Sequence, residues 1–158
     1  PTRDGSPWLQ IIHQTRACWG ALTFVTRWPK VSAVIEFFNP SDAPAPGAFS
    51  RATRAAGLVF VSGTGAGNDV GGQAPAGSAA SQTRQALKNV EAILKAAGSS
   101  LDRVVQMTLL ITDPADYREI NAEYVTHFPN GLPARHTARF GVPTTAKVAF
   151  ACIALAGD

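Results

Sequence analysis

Residues 133–140, with the sequence PARHTARF, contain the side chains best suited to bind a small acid. Alternation along an extended chain places Arg135, Thr137 and Arg139 on one face of a predicted strand. A guanidinium can hold a carboxylate through two parallel hydrogen bonds, and a strand would keep it on a rigid backbone. The stretch therefore predicts a carboxylate-binding arginine, with an ordinary solvated surface strand as the alternative interpretation.

The cysteines and histidines are not spaced for metal or redox chemistry. Cys18 and Cys152 form no CxxC motif, and the three histidines show no HExxH spacing. The sequence therefore predicts no metal and no cofactor, and two isolated thiols fit a reducing compartment such as the cytoplasm. Strand alternation turns His136 away from Arg135, and Cys152 resembles a buried small hydrophobe, so we interpret both as structural.

The positive charge of the chain is confined to its first thirty residues. Of the 14 basic and 11 acidic side chains, residues 1–30 hold four basic and one acidic, which leaves ten of each in residues 31–158. A neutral main segment argues against a nucleic-acid partner, although the calculated pI of the whole chain is 9.2.

Residues 1–30 also differ in composition, since they hold all three tryptophans. Their apolar run, residues 17–25, is far shorter than the roughly 20 residues that span a bilayer, so no membrane partner is predicted. Arg27, Trp28 and Pro29 lie where small residues should precede a cleavage site, which argues against secretion. We interpret residues 1–30 as an N-terminal extension of undetermined role. It is an extension packed on the domain, an arm that binds a partner, or sequence that is not part of the natural protein. Residues 31–158 then form one domain.

The elements that must position Arg135 follow the order β-β-β-α-β-α-β-β. Alternation and apolar runs predict strands over residues 31–38, 49–55, 58–63, 104–112, 134–141 and 146–155. Three- and four-residue spacing predicts an amphipathic helix over residues 78–97, with Gln82 outside its buried stripe. A second helix opens at Asp113-Pro114. Residues 64–77 hold five glycines and predict a loop.

Two helices on one face of such a sheet leave the other face uncovered. The strand over residues 104–112 is apolar nearly throughout, as expected when both of its faces are buried. Oligomerisation is the simplest way to cover the second face.

Seven motifs together resemble one known family. They are PAPGAFS (44–50), GLVFVSG (57–63), QTRQALKNV (82–90), AAGSSLDRVV (96–105), INAEY (120–124), FP (128–129) and PAR (133–135). In this order, from about Ile35 to Leu155, they resemble the RidA (YjgF) family of reactive-imine deaminases. The resemblance implies an α+β, chorismate-mutase-like (YjgF) fold with one mixed β-sheet and two helices packed on one face. It also implies a homotrimer with clefts between subunits.

The resemblance further implies a reaction and a binding site. In RidA-like deaminases the cleft binds a 2-imino acid, and water attacks the C=N carbon to release ammonia and a 2-oxo acid. Arg135 would clamp the substrate carboxylate, the backbone of Ser62 and Gly63 would line the cleft, and Asn121 would join it from the second helix. Phe49 stands where many members have a tyrosine, so it can form a wall but cannot donate a hydrogen bond. Ser62 and Gly63 could also simply end a strand, and Asn121 could bond a neighbouring loop.

The chain departs from the family pattern at two places that matter for catalysis. Ala149 and Ala151 occupy the positions of two family glutamates, the first of which is thought to orient the hydrolytic water. Thr137 replaces the cysteine that many members carry two residues past the arginine. Thr137 is either a catalytic residue that holds a water or an ordinary strand residue.

We therefore predict a deaminase acting on an imine or enamine that bears a carboxylate, with Arg135 and Thr137 as catalytic residues. The partners expected are this small acid or its oxo acid and further copies of the chain. The alternative is a non-catalytic small-acid-binding or regulatory trimer. An endoribonuclease is less favoured because residues 31–158 are neutral and show no basic and aromatic strip.

Overall fold

The computed structural model describes residues 34–39, 48–67 and 74–157, and the statements below concern those residues. The predicted extension over residues 1–30 lies outside them, as does most of the proline-rich segment after β1. The boundary placed at residue 30 therefore stays a prediction.

The described residues form one six-stranded mixed sheet with two α-helices. In chain order the elements are β1 (Glu36–Phe38), β2 (Ala52–Ala55), β3 (Leu58–Gly65), α1 (Ala79–Ala96), β4 (Val104–Ile111), α2 (Tyr117–Tyr124), β5 (Ala134–Arg139) and β6 (Val148–Leu155). Across the sheet the strand order is β1-β2-β3-β6-β4-β5. Only the β4–β5 pairing is parallel, and it places β5 at an edge. The predicted order of elements is confirmed.

The first helix begins and ends at the residues that the sequence indicates. The Ser78 hydroxyl accepts a hydrogen bond from the Ser81 N–H at 3.2 Å and caps α1. Gly98, at a φ of 74°, stops the chain from continuing as a helix. Gln82 was expected outside the buried stripe but is 4% exposed, because its amide joins the Pro75 carbonyl to the Lys147 N–H.

The second helix starts with a tighter turn than predicted. Asp113 accepts a hydrogen bond from the Ala115 N–H at 2.9 Å, as an N-terminal cap should. Residues Pro114–Asp116 form a 3₁₀ turn, and the α-helix proper begins at Tyr117. Ile120 and Tyr124 are the buried residues of α2.

Strand β3 is longer than predicted, because Gly63 does not end it. The pairing of β3 with β6 shifts in register between Val61 and Thr64 and then continues to Gly65, opposite Ala149. A glycine inside a strand often marks such a bulge, because it has no side chain to pack. The loop predicted to start at Thr64 therefore begins two residues later.

Both helices pack on the same face of the sheet and enclose the core there. The buried core side chains include Val59, Val61, Leu87, Leu94, Met107, Leu109, Ile120, Tyr124 and Phe150. The opposite face was expected to be apolar and is only partly so. Phe60 and Ile153 lie on it, but Gln106 and Thr108 do too, and they contact His136 at 3.3 and 3.2 Å.

Candidate functional site

Arg135 lies in edge strand β5, opposite Met107 of β4, and its side chain extends over α2. Its Nη2 donates a hydrogen bond to Asn121 Oδ1 at 2.7 Å. Its Cζ lies 4.5 Å from the centre of the Tyr124 ring, which is the geometry of a cation–π contact. The arginine is thus held by the amide of Asn121 and by the face of the Tyr124 ring.

The two terminal nitrogens of Arg135 differ in their hydrogen bonding. Nη1 is buried, and within the described ranges it has no hydrogen-bond partner. Among the ion pairs of those residues, none joins Arg135 to a carboxylate. Buried donors without partners are rare and costly in proteins. A carboxylate beside the half-buried guanidinium would neutralise a charge that no described carboxylate pairs with.

Tyr117, which the sequence reasoning did not select for the site, lies beside Arg135. Arg135 Nη2 donates toward Tyr117 Oη at 3.4 Å. Hydrogen bonds to Asn121, then to Thr137, and the positive charge of Arg135 lower the pKa of Tyr117. The tyrosine is 41% exposed in the single chain. Its four-residue spacing from Asn121 on a helix is the signal that could have found it.

Tyr124 supports the guanidinium from the core. It is 2% exposed, and its ring packs against Phe128 at 4.8 Å and Phe150 at 5.8 Å between centroids. Its hydroxyl has no hydrogen-bond partner among the described residues. Burial raises the pKa of Tyr124 to about 12, so this hydroxyl stays protonated and neutral.

The structure unites three of the residues selected from the sequence. Arg135 and Thr137 share the face of β5 that meets α2, and Asn121 reaches both the guanidinium and the Tyr117 hydroxyl. Asn121 therefore bonds the arginine rather than a neighbouring loop. Together with Tyr117, these three residues bring one cation, one amide, one phenol and one aliphatic hydroxyl to the site.

Ser62, Gly63 and Phe49 are not near Arg135 within one chain. Ser62 and Gly63 lie in β3, which is separated from β5 by β6 and β4. Three steps at about 4.8 Å between neighbouring strands make a separation of roughly 14 Å. Ser62 Oγ donates to the Ser50 carbonyl at 2.7 Å, while Gly63 is exposed and Phe49 is 40% exposed ahead of β2. The residues predicted for the site therefore form two separate groups in one chain, one around Arg135 and one around Ser62.

The remaining candidates face as strand alternation predicted. His136 contacts Gln106 and Thr108 on the sheet face away from the helices. Cys152 is buried on the helix face, and its burial raises its pKa to about 12, so it is not a reactive thiolate. Ala149 faces the opposite way, opposite Leu110, so a side chain there does not share the face of Arg135.

The outer face of the sheet also has a small concavity. Its volume is about 160 Å³, and it is lined mainly by Phe60, Gln106, Thr108, Ala151 and Ile153. The small side chain of Ala151, at a position where the family pattern has glutamate, contributes to the space. The concavity contains no charged side chain.

The mixed sheet with two helices on one face defines an α+β protein. The sequence profile of a family described as Endoribonuclease L-PSP matches residues 40–155. This is the RidA (YjgF) family, and the chain belongs to it.

Individual relatives agree with this assignment. The chloroplastic Reactive Intermediate Deaminase A of Arabidopsis thaliana is 38% identical over 121 residues, which are 75% of this chain and 65%, just under two thirds, of that protein. The 2-iminobutanoate/2-iminopropanoate deaminase of Rattus norvegicus is 35% identical over 128 residues, 80% of this chain and 93% of that one. The crystal structure of the YjgF gene product from E. coli is 30% identical, with a TM-score of 0.66 over 76% of this chain and 98% of that one. The predicted YjgF fold is confirmed.

In the part of the chain that the structure describes, no helix combines the length and the hydropathy needed to cross a membrane.

Proposed function

We propose that the protein is a Rid-type deaminase that hydrolyses a carboxylate-bearing imine or enamine to the 2-oxo acid and ammonia. The observation that supports this best is the Arg135 guanidinium, which is held by Asn121 and Tyr124 and keeps a buried Nη1 without a partner in the described residues. The names of the rat and Arabidopsis relatives indicate the same reaction class.

The binding step follows from the geometry of Arg135. A substrate carboxylate accepts hydrogen bonds from the part of the half-buried guanidinium that a ligand can reach, and its negative charge is neutralised there. The carbon of the C=N bond is attached directly to the carboxylate carbon. It is therefore held beside Tyr117 and Thr137, where water can attack it.

We further propose that the site is completed by a neighbouring subunit in a homotrimer. Ser62, Gly63 and Phe49 lie roughly 14 Å or more from Arg135 along the sheet of one chain, so they join it only if they come from another copy. Sedimentation equilibrium tests the trimer. Mixing an Arg135→Ala chain with a Gly63→Asp chain, each inactive alone, should restore part of the activity if the site is shared, and should restore none if each chain is self-sufficient.

The deaminase proposal is tested by supplying imines made in place by an amino-acid oxidase and following 2-oxo acid formation, with small and aromatic substrates. Arg135→Ala should lower kcat/KM by at least about 100-fold, because two hydrogen bonds to a charged group are lost. Arg139→Ala is the matched control, since Arg139 lies on the same strand but is exposed and bonds the Thr112 carbonyl at 3.5 Å. No acceleration over buffer with any substrate contradicts the proposal.

A second candidate is a trimer that binds small acids without turning them over. It is favoured by Ala149 and Ala151, which leave the last strand without the carboxylates expected from the family pattern. Calorimetry with 2-oxo acids separates the two candidates. Binding that requires Arg135, without any turnover, supports this second function.

Two further expectations remain proposals. We infer that the chain does not act on RNA, because residues 31–158 are neutral, and incubation with labelled RNA tests this inference.

We also infer a cytoplasmic location from the isolated cysteines. The Arabidopsis relative is named as chloroplastic, so fractionation of the source cells is the direct test.

A further inference from the structure

We propose that Tyr117 is the catalytic acid–base group of this site, and that its hydroxyl passes a proton from the attacking water to the imine nitrogen. The proposal rests on the proposed deaminase function and assigns the proton transfers within it.

The position of the hydroxyl supports this role. Tyr117 Oη lies 3.4 Å from Arg135 Nη2, and under the proposed function the same guanidinium binds the substrate carboxylate. The reacting carbon is one bond, about 1.5 Å, from the carboxylate carbon. The imine nitrogen and the attacking water of a bound substrate therefore lie within one hydrogen bond, or one bridging water, of Oη.

The other proton-carrying groups nearby are less suitable. The Tyr124 hydroxyl is buried, and the ring of Tyr124 lies against the guanidinium. The His136 ring contacts Gln106 and Thr108 on the other face of the sheet. Thr137 has an aliphatic hydroxyl, which is a far weaker acid than a phenol. Among the described residues, no carboxylate forms an ion pair with Arg135.

The surroundings of Tyr117 also favour proton transfer. Hydrogen bonds to Asn121 and Thr137, followed by the charge of Arg135, lower its pKa toward the range in which acid–base groups are most effective. The residue is 41% exposed in the single chain, so it is not buried in the core. We assign Asn121 and Thr137 as positioning residues, since both interact with the phenol and lower its pKa.

The proton steps balance for an iminium substrate. Water forms a C–O bond, and the C=N π pair moves to nitrogen. Tyr117 takes a proton from the bound water oxygen and gives its own proton to the nitrogen, which leaves a carbinolammonium and a neutral phenol. The C–N bond then breaks with its pair on nitrogen as the C=O bond forms. A second relay moves the remaining hydroxyl proton to ammonia, so that iminium and water yield 2-oxo acid and ammonium.

The first test compares the wild type with Tyr117→Phe, which keeps the ring and removes the hydroxyl. We expect kcat to fall by about 100-fold, as for loss of a general acid–base group. The Kd for a 2-oxo acid, measured by calorimetry, should stay within about twofold because Arg135 and Asn121 are retained. The wild-type kcat should fall at alkaline pH as the phenol loses its proton, and this limb should be absent in Tyr117→Phe.

The second test changes the acidity of the phenol without changing its place. The chain has two tyrosines, so fluorotyrosine incorporated into a Tyr124→Phe background labels Tyr117 alone. The alkaline limb should move to lower pH than in unlabelled Tyr124→Phe. A limb that stays in place overturns the proposal.

The outcomes distinguish this proposal from the deaminase proposal. Turnover by Tyr117→Phe at the wild-type rate overturns the role of Tyr117 and leaves the deaminase function standing. Loss of oxo-acid binding in parallel with kcat assigns Tyr117 to binding alone and also overturns it. A wild type without turnover overturns the deaminase function, and the role of Tyr117 with it.

Discussion

Arg135 and Asn121 lie fourteen residues apart in the chain and are joined by a hydrogen bond of 2.7 Å from Nη2 to Oδ1. The bond connects edge strand β5 to helix α2 and fixes the direction of the guanidinium. Nη1, by contrast, is buried and has no hydrogen-bond partner among the described residues. The orientation of the guanidinium therefore depends on a contact between two elements, not on Arg135 alone.

Replacing Asn121 tests this dependence. Asn121→Ala should weaken 2-oxo acid binding by about 10- to 100-fold, because a hydrogen bond to a charged group contributes about 1.5–3 kcal/mol. Calorimetry measures the Kd. Asn130→Ala is the control, since Asn130 is exposed and bonds Asp102 at 3.4 Å. Equal affinity of the Asn121 variant and the wild type would show that Asn121 does not orient the arginine.

Thr137 should affect turnover through Tyr117. Thr137→Val removes a hydrogen bond to the phenol and should lower kcat by about fivefold, the effect of roughly 1 kcal/mol. Thr108→Val is the matched control, because Thr108 lies in neighbouring β4 on the opposite face, next to His136. Steady-state kinetics of both variants decide the point, and equal kcat values in them would contradict a role for the Thr137 hydroxyl.

Gln82 should matter for stability despite its polar side chain. It accepts from the Lys147 N–H at 2.9 Å and donates to the Pro75 carbonyl at 3.0 Å, and it is buried. Gln82→Leu should lower the free energy of unfolding by about 2 kcal/mol, because both backbone groups lose their partner. Urea denaturation measures this change. Gln85→Leu, which removes a bond to Asn89 only, should cost less, and a reversed order would be incompatible with this account.

Glu123 should make stability depend on acid pH. Arg84 donates to its two oxygens at 2.9 and 2.6 Å, and these bonds, with a smaller contribution from His127, lower the pKa of Glu123. A carboxyl whose pKa is lowered by folding stabilises the fold above its unfolded pKa of about 4.3 and loses this contribution as pH falls through the lower folded pKa.

The Tm of Glu123→Gln should therefore lie below that of the wild type at pH 6, and the two should converge as the pH falls through the lowered folded pKa of Glu123. Glu91→Gln is the control, since it breaks an exposed pair with Lys95 and should change Tm little. A Tm difference for Glu123→Gln that does not narrow as the pH is lowered would mean that the carboxylate charge is not its source.

Much of the fold could be predicted because helices and strands each leave a characteristic spacing of apolar residues in the local sequence. Three- and four-residue spacing identified α1 and its end at Gly98, and two-residue alternation placed Arg135 and Thr137 on one face with His136 on the other. The bulge in β3 escaped prediction. Glycine at a strand end and glycine at a bulge look the same in sequence, and only pairing with β6 distinguishes them.

The sequence by itself predicted Arg135 as the acid-binding residue, because a guanidinium within a family motif is a property of residue type and local order. Tertiary structure alone decided what surrounds it. The parallel pairing of β5 with β4 places Arg135 next to α2, within reach of Tyr117 and Asn121. The strand order leaves Ser62 three strands away. Such contacts depend on strand order and on which helix covers which strand. These are non-local packing choices that the spacing of residues along the chain does not specify.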